Sequence, residues 1–226
     1  MKVLIACEYS GAVRDAFIKQ GHDAMSCDLL PTDVDGPHYQ GSVTDILNDG
    51  WDLMIAHPPC TYLAVSGNRW LYNKDGSRNE ERWDNRREAL DFVRLLMNAP
   101  IERIAVENPV SVISSEIRKP DQIIQPWQFG HGETKKTCLW LKNLPKLKPT
   151  KIVGKGEFVT FKSGKKHPAW YAEAFAKAKT KAERQKLRSK TFQGIADAMA
   201  EQWGKDLLDK RCTDLCSGTL QLEFRS

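Results

Sequence analysis

The chain has 226 residues, room for one well-filled core and a small insertion but hardly for two full domains. It is 41% hydrophobic and 28% charged, an ordinary globular balance. No stretch approaches the roughly 18 to 20 apolar residues of a bilayer-spanning helix, which argues against a membrane protein.

The net charge of +5 is uneven: residues 145–190 carry 14 Lys and Arg against three Glu, so the basic charge is local and the remainder is acidic. Residues 2–7 (KVLIAC) read as a buried strand rather than a signal-peptide core, because Glu8 follows at once, and a cytoplasmic protein is expected. The strand breaks at Tyr9, Ser10 and Gly11 into an amphipathic stretch, 12–20, ending at Gly21 where a C-cap glycine belongs. Residues 22–28 form a second strand closing on Asp28. The spacing from Gly11 to Asp28 is close to the roughly 20 residues that separate a cofactor turn from the ribose-binding acid in nucleotide-binding βαβ units.

Residues 51–56 are an apolar strand running into His57, Pro58, Pro59 and Cys60, where the prolines forbid continuation of the ladder. Residues 85–97 set Leu90, Val93, Leu96 and Met97 at helical spacing, as in an amphipathic crossover helix. The next strand, 101–107, gives way to Asn108 and Pro109. Residues 137–144 are strand-like, 146–167 read as a loop-and-hairpin insertion, 169–188 as helical, and 192–204 as a final amphipathic helix. Residues 207–226 show no clear periodicity. The alternation predicts an α/β fold with an open, doubly wound, mainly parallel sheet and a small basic insertion. The cysteines are expected as free thiols, and Cys212 and Cys216, with no second pair or nearby His, predict no metal site.

In such a sheet, ligands bind beyond the carboxyl ends of the strands, where the strand order reverses. Residues 7–11 and Asp28, polar and glycine-bearing, suit a nucleoside cofactor. Residues 58–60 and 107–109 bring a thiol and a carboxylate to the same edge. A lone cysteine is more often a buried small hydrophobe, and a lone glutamate solvated surface. What favours function is that both directly follow apolar strands, each near a proline.

At these residues the chain resembles the DNA (cytosine-5)-methyltransferases, in a short form like those of bacteriophages and prophages. Residues 52–67 (DLMIAHPPCTYLAVSG) look like the family's nucleophile motif, Pro-Cys after a strand with Ser66 and Gly67 shortly after. Residues 106–109 (VENP) look like its Glu-Asn-Val motif with Pro in third place. Residues 6–17 (ACEYSGAVRDAF) look like its Phe-x-Gly-x-Gly turn, with Cys7 for Phe, Tyr9 for the first glycine, Gly11 as the second, and Arg14 just after. Residues 40–43 resemble its Gly-Asp-Ile motif, with Ser42 in place of Asp. Residues 128–141 are similar to its Gln-x-Arg-x-Arg segment, read at Glu133, Lys135 and Thr137, and residues 191–203 to its last, glycine-led helix.

The resemblance implies a Rossmann-like methyltransferase fold and S-adenosylmethionine as cofactor, held by Cys7, Tyr9, Ser10, Gly11, Asp28, Leu29, Ser42 and Pro58. Cys60 becomes a covalent nucleophile on C6 of cytosine and Glu107 the group that supplies or holds the N3 proton. Since a free thiol has a pKa of roughly 8.5, some stabilisation of the thiolate is expected. Ser66, Asn108, Lys135, Lys165 and Lys166 are the expected substrate contacts. The partner is DNA and the protein a monomer, with a catalytic domain over 1–145 and 187–204. Residues 146–186 form a minimal basic target-recognition insertion, so specificity is expected to be short or relaxed, and 205–226 a tail or edge element. Three alternatives stay open: the same chemistry on RNA, single-stranded DNA or a nucleotide; amino-methylation through His57-Pro58-Pro59; and a catalytically silent nucleic-acid-binding protein.

Overall fold

β1 (Lys2–Ala6) is apolar and buried beyond its first residue, as a strand covered on both faces must be. The chain then turns through Gly11, whose φ of 74° an L side chain rarely adopts, into α1 (Ala12–Lys19). The computed structural model describes residues 1–161, 164–189 and 191–217. β2 (Asp23–Asp28) and the short β3 (His38–Gln40) follow, then β4 (Leu53–Ala56) and α2 (Glu80–Met97). β5 (Arg103–Pro109) includes Glu107 and Asn108 in its ladder, so these residues lie on the strand and not beyond it. α3 (Ile113–Glu116), β6 (Gln122–Ile124) and β7 (Thr137–Lys142) complete the sheet elements. A hairpin of β8 (Phe158–Thr160) and β9 (Lys166–Pro168) leads into α4 (Ala169–Lys177), α5 (Lys181–Ser189) and α6 (Gln193–Ser217).

The main sheet runs β3-β2-β1-β4-β5-β7-β6. Pairings from β3 through to β5 are parallel, while β7 is antiparallel to both β5 and β6. The strand order therefore reverses between β1 and β4, and the sheet is mainly parallel, as expected, with β7 as its antiparallel strand. Side chains alternate between two cores. Leu4, Met54 and Val106 pack with Leu90, Val93 and Leu96 of α2 on one face. Val3, Ile5 and Ile55 pack with Phe17 of α1 and Ile195, Met199 and Trp203 of α6 on the other. Helices thus cover both faces. Among the described residues, no helix is long and apolar enough to cross a membrane.

Local hydrogen bonds explain where element ends depart from the periodicity. α2 begins at Glu80, ahead of its apolar stripe, because the Asn79 side chain accepts from the Arg82 N–H at 3.1 Å. The helical stretch 169–188 is two helices. Thr180 Oγ1 accepts from the Glu183 N–H at 3.0 Å while Glu183 accepts from the Thr180 N–H at 3.3 Å, a capping box that starts α5 afresh. α6 continues to Ser217, into the stretch expected as a tail or edge element. Residues 218–226, Lys162 and the side chains of Cys212 and Cys216 lie outside the described residues.

Candidate active site

At the carboxyl end of β4, the His57 N–H still donates to the Ala6 carbonyl (2.9 Å), and the prolines then release the chain from the sheet. The Cys60 carbonyl accepts from the Leu63 and Ala64 N–H groups at 3.1 and 2.9 Å, so Cys60 sits at the head of a tight turn. Asn108 on β5, 1% exposed, donates its amide to the Pro58 carbonyl at 2.9 Å and so ties this turn to the neighbouring strand. From α2, Arg82 and Arg86 donate to the carbonyls of Thr61 and Tyr62 at 3.3 and 3.0 Å. The segment after Cys60 is therefore held by a helix and a strand. Ser66 lies further along it, exposed, in a 3-10 turn.

Beside this turn, Glu107 Oε2 accepts from His57 Nδ1 at 3.0 Å, with side-chain exposures of 20% and 12%. Burial opposes ionisation of both partners, yet the shared hydrogen bond and opposite charge win: His57 is raised above its ordinary pKa and Glu107 lowered below its own. Glu8 adds to the first effect and Lys135 to the second. Cys60 is pushed up, first by burial and then by the Glu107 charge, with Lys135 and Arg188 pulling the other way. The thiolate stabilisation expected from the sequence is thus supplied by those two cations, but burial and the carboxylate outweigh it.

Lys135 is depressed by burial despite the nearby Glu107 and Cys60 charges, and its Nζ stands 5.6 Å from the Phe192 ring centroid. His57, Glu107, Lys135 and Thr137 line one side of a small cavity that Phe192, just ahead of α6, and Ile195 and Met199 on that helix close. At about 20 Å³ it admits roughly one water molecule.

The other half of the edge is built around Glu8. Its buried carboxylate accepts from the Val13 and Arg14 N–H groups of α1 (2.8 and 3.2 Å) and from the Ser10 hydroxyl at 3.1 Å. Ser10 and Gly11 are thereby fixed. Arg14, fully buried, donates to Thr32 Oγ1 and to the carbonyls of Val34 and Asp35, shaping the loop after β2. Cys7 takes a φ of 59°, and burial with the Asp28 charge pushes its thiol up to about 12. Asp28 accepts from the Leu30 N–H at 2.9 Å through Oδ1, and Leu29 beside it is 73% exposed. Ser42 caps a 3-10 turn, accepting from the Thr44 N–H at 3.4 Å. Asp45 accepts from the Tyr39 hydroxyl at 3.1 Å.

The basic insertion leans on both halves. Trp170 Nε1 donates to the Thr134 carbonyl at 3.0 Å, next to Lys135. Arg188 sits 5.0 Å from the Tyr171 ring centroid and acts on Cys60, while Lys186 meets Asp33 at 2.7 Å and stands 5.4 Å from the Tyr9 ring centroid. Lys165 and Lys166 are exposed at the β8–β9 hairpin and are not among the charges acting on Cys60. The sequence reading missed His57, Glu8 and Arg188 as site residues. The signal for the first two was their place directly after apolar strands; Arg188 belongs to a charge block and had no local signal.

No family model matches the chain, and no curated protein matches it. Among solved structures it is similar to an E. coli protein described as a candidate DNA modification methyltransferase encoded within a prophage. The identity is 16% and the TM-score 0.46, over 68% of this chain and 52% of that one. The chain thus spans about half the length of that protein.

Proposed function

We propose that the protein is an S-adenosylmethionine-dependent DNA cytosine-5 methyltransferase on a doubly wound, Rossmann-like sheet, with short or relaxed sequence specificity. The observation that carries this reading is the placement of Cys60 on the turn that leaves β4 and of Glu107 on the adjacent strand β5, near enough for the carboxylate charge to act on the thiol although the two are far apart in sequence. The opposite half of the edge fits a nucleoside cofactor. Gly11 makes a turn in which a Cβ would come within 2.6 Å of Arg14 and Val34, and Asp28 keeps one carboxylate oxygen uncommitted at the end of β2. Residues Cys7 to Gly11, Asp28, Leu29, Ser42 and Pro58 would hold that cofactor, which supplies an electrophilic methyl group.

Cytosine C5 is too weak a nucleophile to take a methyl group unaided. Addition of sulfur to C6, with a proton placed on N3, converts the ring to an enamine whose C5 can. Because Cys60 rests as a thiol, its proton must leave as the Sγ–C6 bond forms. Glu107, ionised and within electrostatic reach, takes that proton and delivers one to N3, so the addition is neutral overall. Lys135 offsets the carboxylate in a buried setting. Once C5 carries the methyl group, its hydrogen leaves as a proton to a base or water, the Sγ–C6 bond breaks with its electrons on sulfur, and the N3 proton returns to the sulfur by way of Glu107, which restores the aromatic ring and the thiol.

The test is incubation with S-adenosylmethionine and 5-fluorocytosine in duplex DNA, single-stranded DNA or RNA, followed by denaturing electrophoresis. A persistent protein adduct with duplex DNA, lost in Cys60→Ala, is expected. An adduct unchanged in Cys60→Ala, or none with any polymer, removes Cys60 as nucleophile; preference for RNA or single strands reassigns the substrate.

A further inference from the structure

The turn that carries Cys60 begins at His57, which the cytosine-5 resemblance leaves without a role. His57 emerges from β4 with its backbone still in register, so its ring is aimed by the sheet. Nδ1 is committed to Glu107 at 3.0 Å. Nε2 is buried and, among the described residues, has no hydrogen-bond partner, and the ring lines the same cavity as Glu107, Lys135 and Thr137. A buried ring nitrogen without a partner is costly, and a folded protein tolerates it where a ligand completes the bond.

The groups facing His57 decide its form. Glu107 on β5 and Glu8 after β1 favour the imidazolium, while burial and Lys135 before β7 oppose it. The carboxylates prevail, and in an imidazolium both ring nitrogens carry hydrogen. The cavity then has, besides the Lys135 ammonium, a directed N–H donor beside the carboxylate. Thr137, which stands where the Gln-x-Arg-x-Arg pattern has its second arginine, is a neutral hydroxyl that donates to the Lys135 carbonyl at 3.4 Å. A donor for a ring carbonyl must then come from elsewhere in the pocket.

We infer that His57 is a further residue of the catalytic machinery: its Nδ1–H positions Glu107, and its Nε2–H donates to the carbonyl oxygen of the pyrimidine ring attacked by Cys60. This rests on the reading of Cys60 and Glu107 given above. The Nε2 bond draws electron density from the ring as sulfur adds to C6, and the Nδ1 bond keeps Glu107 aimed as it passes its proton. No net proton leaves His57 during the addition.

Two substitutions separate the functions of the ring. The amide nitrogen of Asn occupies roughly the place of Nδ1, and that of Gln roughly the place of Nε2. The experiment follows the imidazole nitrogens of the intact free protein by NMR across pH, then measures adduct formation with 5-fluorocytosine DNA for wild type, His57→Asn and His57→Gln. The expected result is a His57 titration above the ordinary histidine range that falls by about one pH unit or more in Glu107→Gln. His57→Asn is expected to slow adduct formation by about tenfold to a hundredfold and to remove the alkaline limb of the pH profile, with partial recovery in His57→Gln. A His57 titration insensitive to Glu107→Gln, or a normal rate and pH profile in His57→Asn, overturns the inference. If wild type forms no adduct while the NMR coupling is present, the cytosine reading fails, and with it the substrate role of Nε2, whereas the positioning of Glu107 by Nδ1 stands.

Discussion

Cys60 is a thiol whose charged neighbours pull in opposite directions. Burial and Glu107 keep it protonated, while Lys135, Arg188 and a backbone hydrogen bond oppose them, so its reactivity in the free protein reports on those charges. Removing the Glu107 charge lowers the thiol pKa, and removing either cation raises it. At pH 7.5, Glu107→Gln is expected to speed iodoacetamide alkylation of Cys60 by roughly threefold to tenfold, and Arg188→Ala to slow it, as peptide mapping by mass spectrometry would read. Faster alkylation in Arg188→Ala would count against the charge arrangement. Cys7 and Cys27, pushed up to about 12 and about 11 chiefly by burial, should stay silent in the same map. The His57–Glu107 pair makes a separate prediction for stability. Glu107, depressed in the folded state, contributes stability above its ordinary 4.5 that is lost as pH falls through its folded value. His57, raised, contributes below its ordinary 6.5 and loses that contribution as pH rises through its folded value. The Tm gap between wild type and Glu107→Gln should therefore be widest between pH 4.5 and 6.5 and narrow on both sides; a gap flat with pH would exclude the ion pair. Cys60 and Glu107 were legible in the sequence because each stands near the carboxyl end of an apolar strand. The hydrogen bond from His57 to Glu107 was not, because a bond between distant segments leaves no local periodicity.

At the scale of elements, the start of α6 decides how closed the pocket is. Gly194 donates its N–H to His131 Nε2 at 2.9 Å, and a Cβ there would run into the Phe129 carbonyl, a backbone group that cannot swing away. Phe192, Ile195 and Met199, which close the cavity, ride on this contact. Gly194→Ala is expected to cost about 1–3 kcal/mol through overpacking, a Tm fall of roughly 2–10 °C. Gly154→Ala, where nothing lies within 4 Å and the backbone is not strained, is the matched control and should be near neutral. Equal Tm values for the two variants in a thermal melt would remove Gly194 as the seat of α6. The glycine-led helix was visible in the sequence, but its reason, contact with a turn more than 60 residues earlier, was not. The long apolar strands β1, β4 and β5 were legible for the converse reason: burial on both faces writes itself into an unbroken run. β3 and β6, three residues each and only partly buried, carry no such run. Nor did the alternation of elements disclose that β7 enters antiparallel, since a strand's direction depends on its connections and not on its own residues.

Across the whole molecule, charge is sorted by position. The block between residues 145 and 190 was plain in the composition, whereas its seat on the site edge, through Trp170 to Thr134 and Lys186 to Asp33, emerges only in three dimensions. A polyanion lying on this face would pass over Cys60, with Arg188 already acting on that thiol and exposed Lys165 and Lys166 available further out on the hairpin. Each phosphate neutralised by a Lys or Arg releases condensed counterions, and the logarithm of the affinity falls with the logarithm of salt by about 0.9 per contact on duplex DNA. If Lys165 and Lys166 touch phosphates, the double substitution to Ala should reduce that slope by about 1–2 and weaken binding alike on unrelated sequences. Both lysines are exposed on a hairpin, so the substitutions leave the core and the His57–Glu107 pair untouched, and the Tm should hold. Fluorescence anisotropy of labelled duplexes over a salt series measures the slope directly. An unchanged slope with unchanged affinity would mean that DNA approaches by another face, and would move the search for phosphate contacts to the arginines around Trp70 and Trp83, where Arg69 and Arg78 already stack at 4.4 and 4.6 Å.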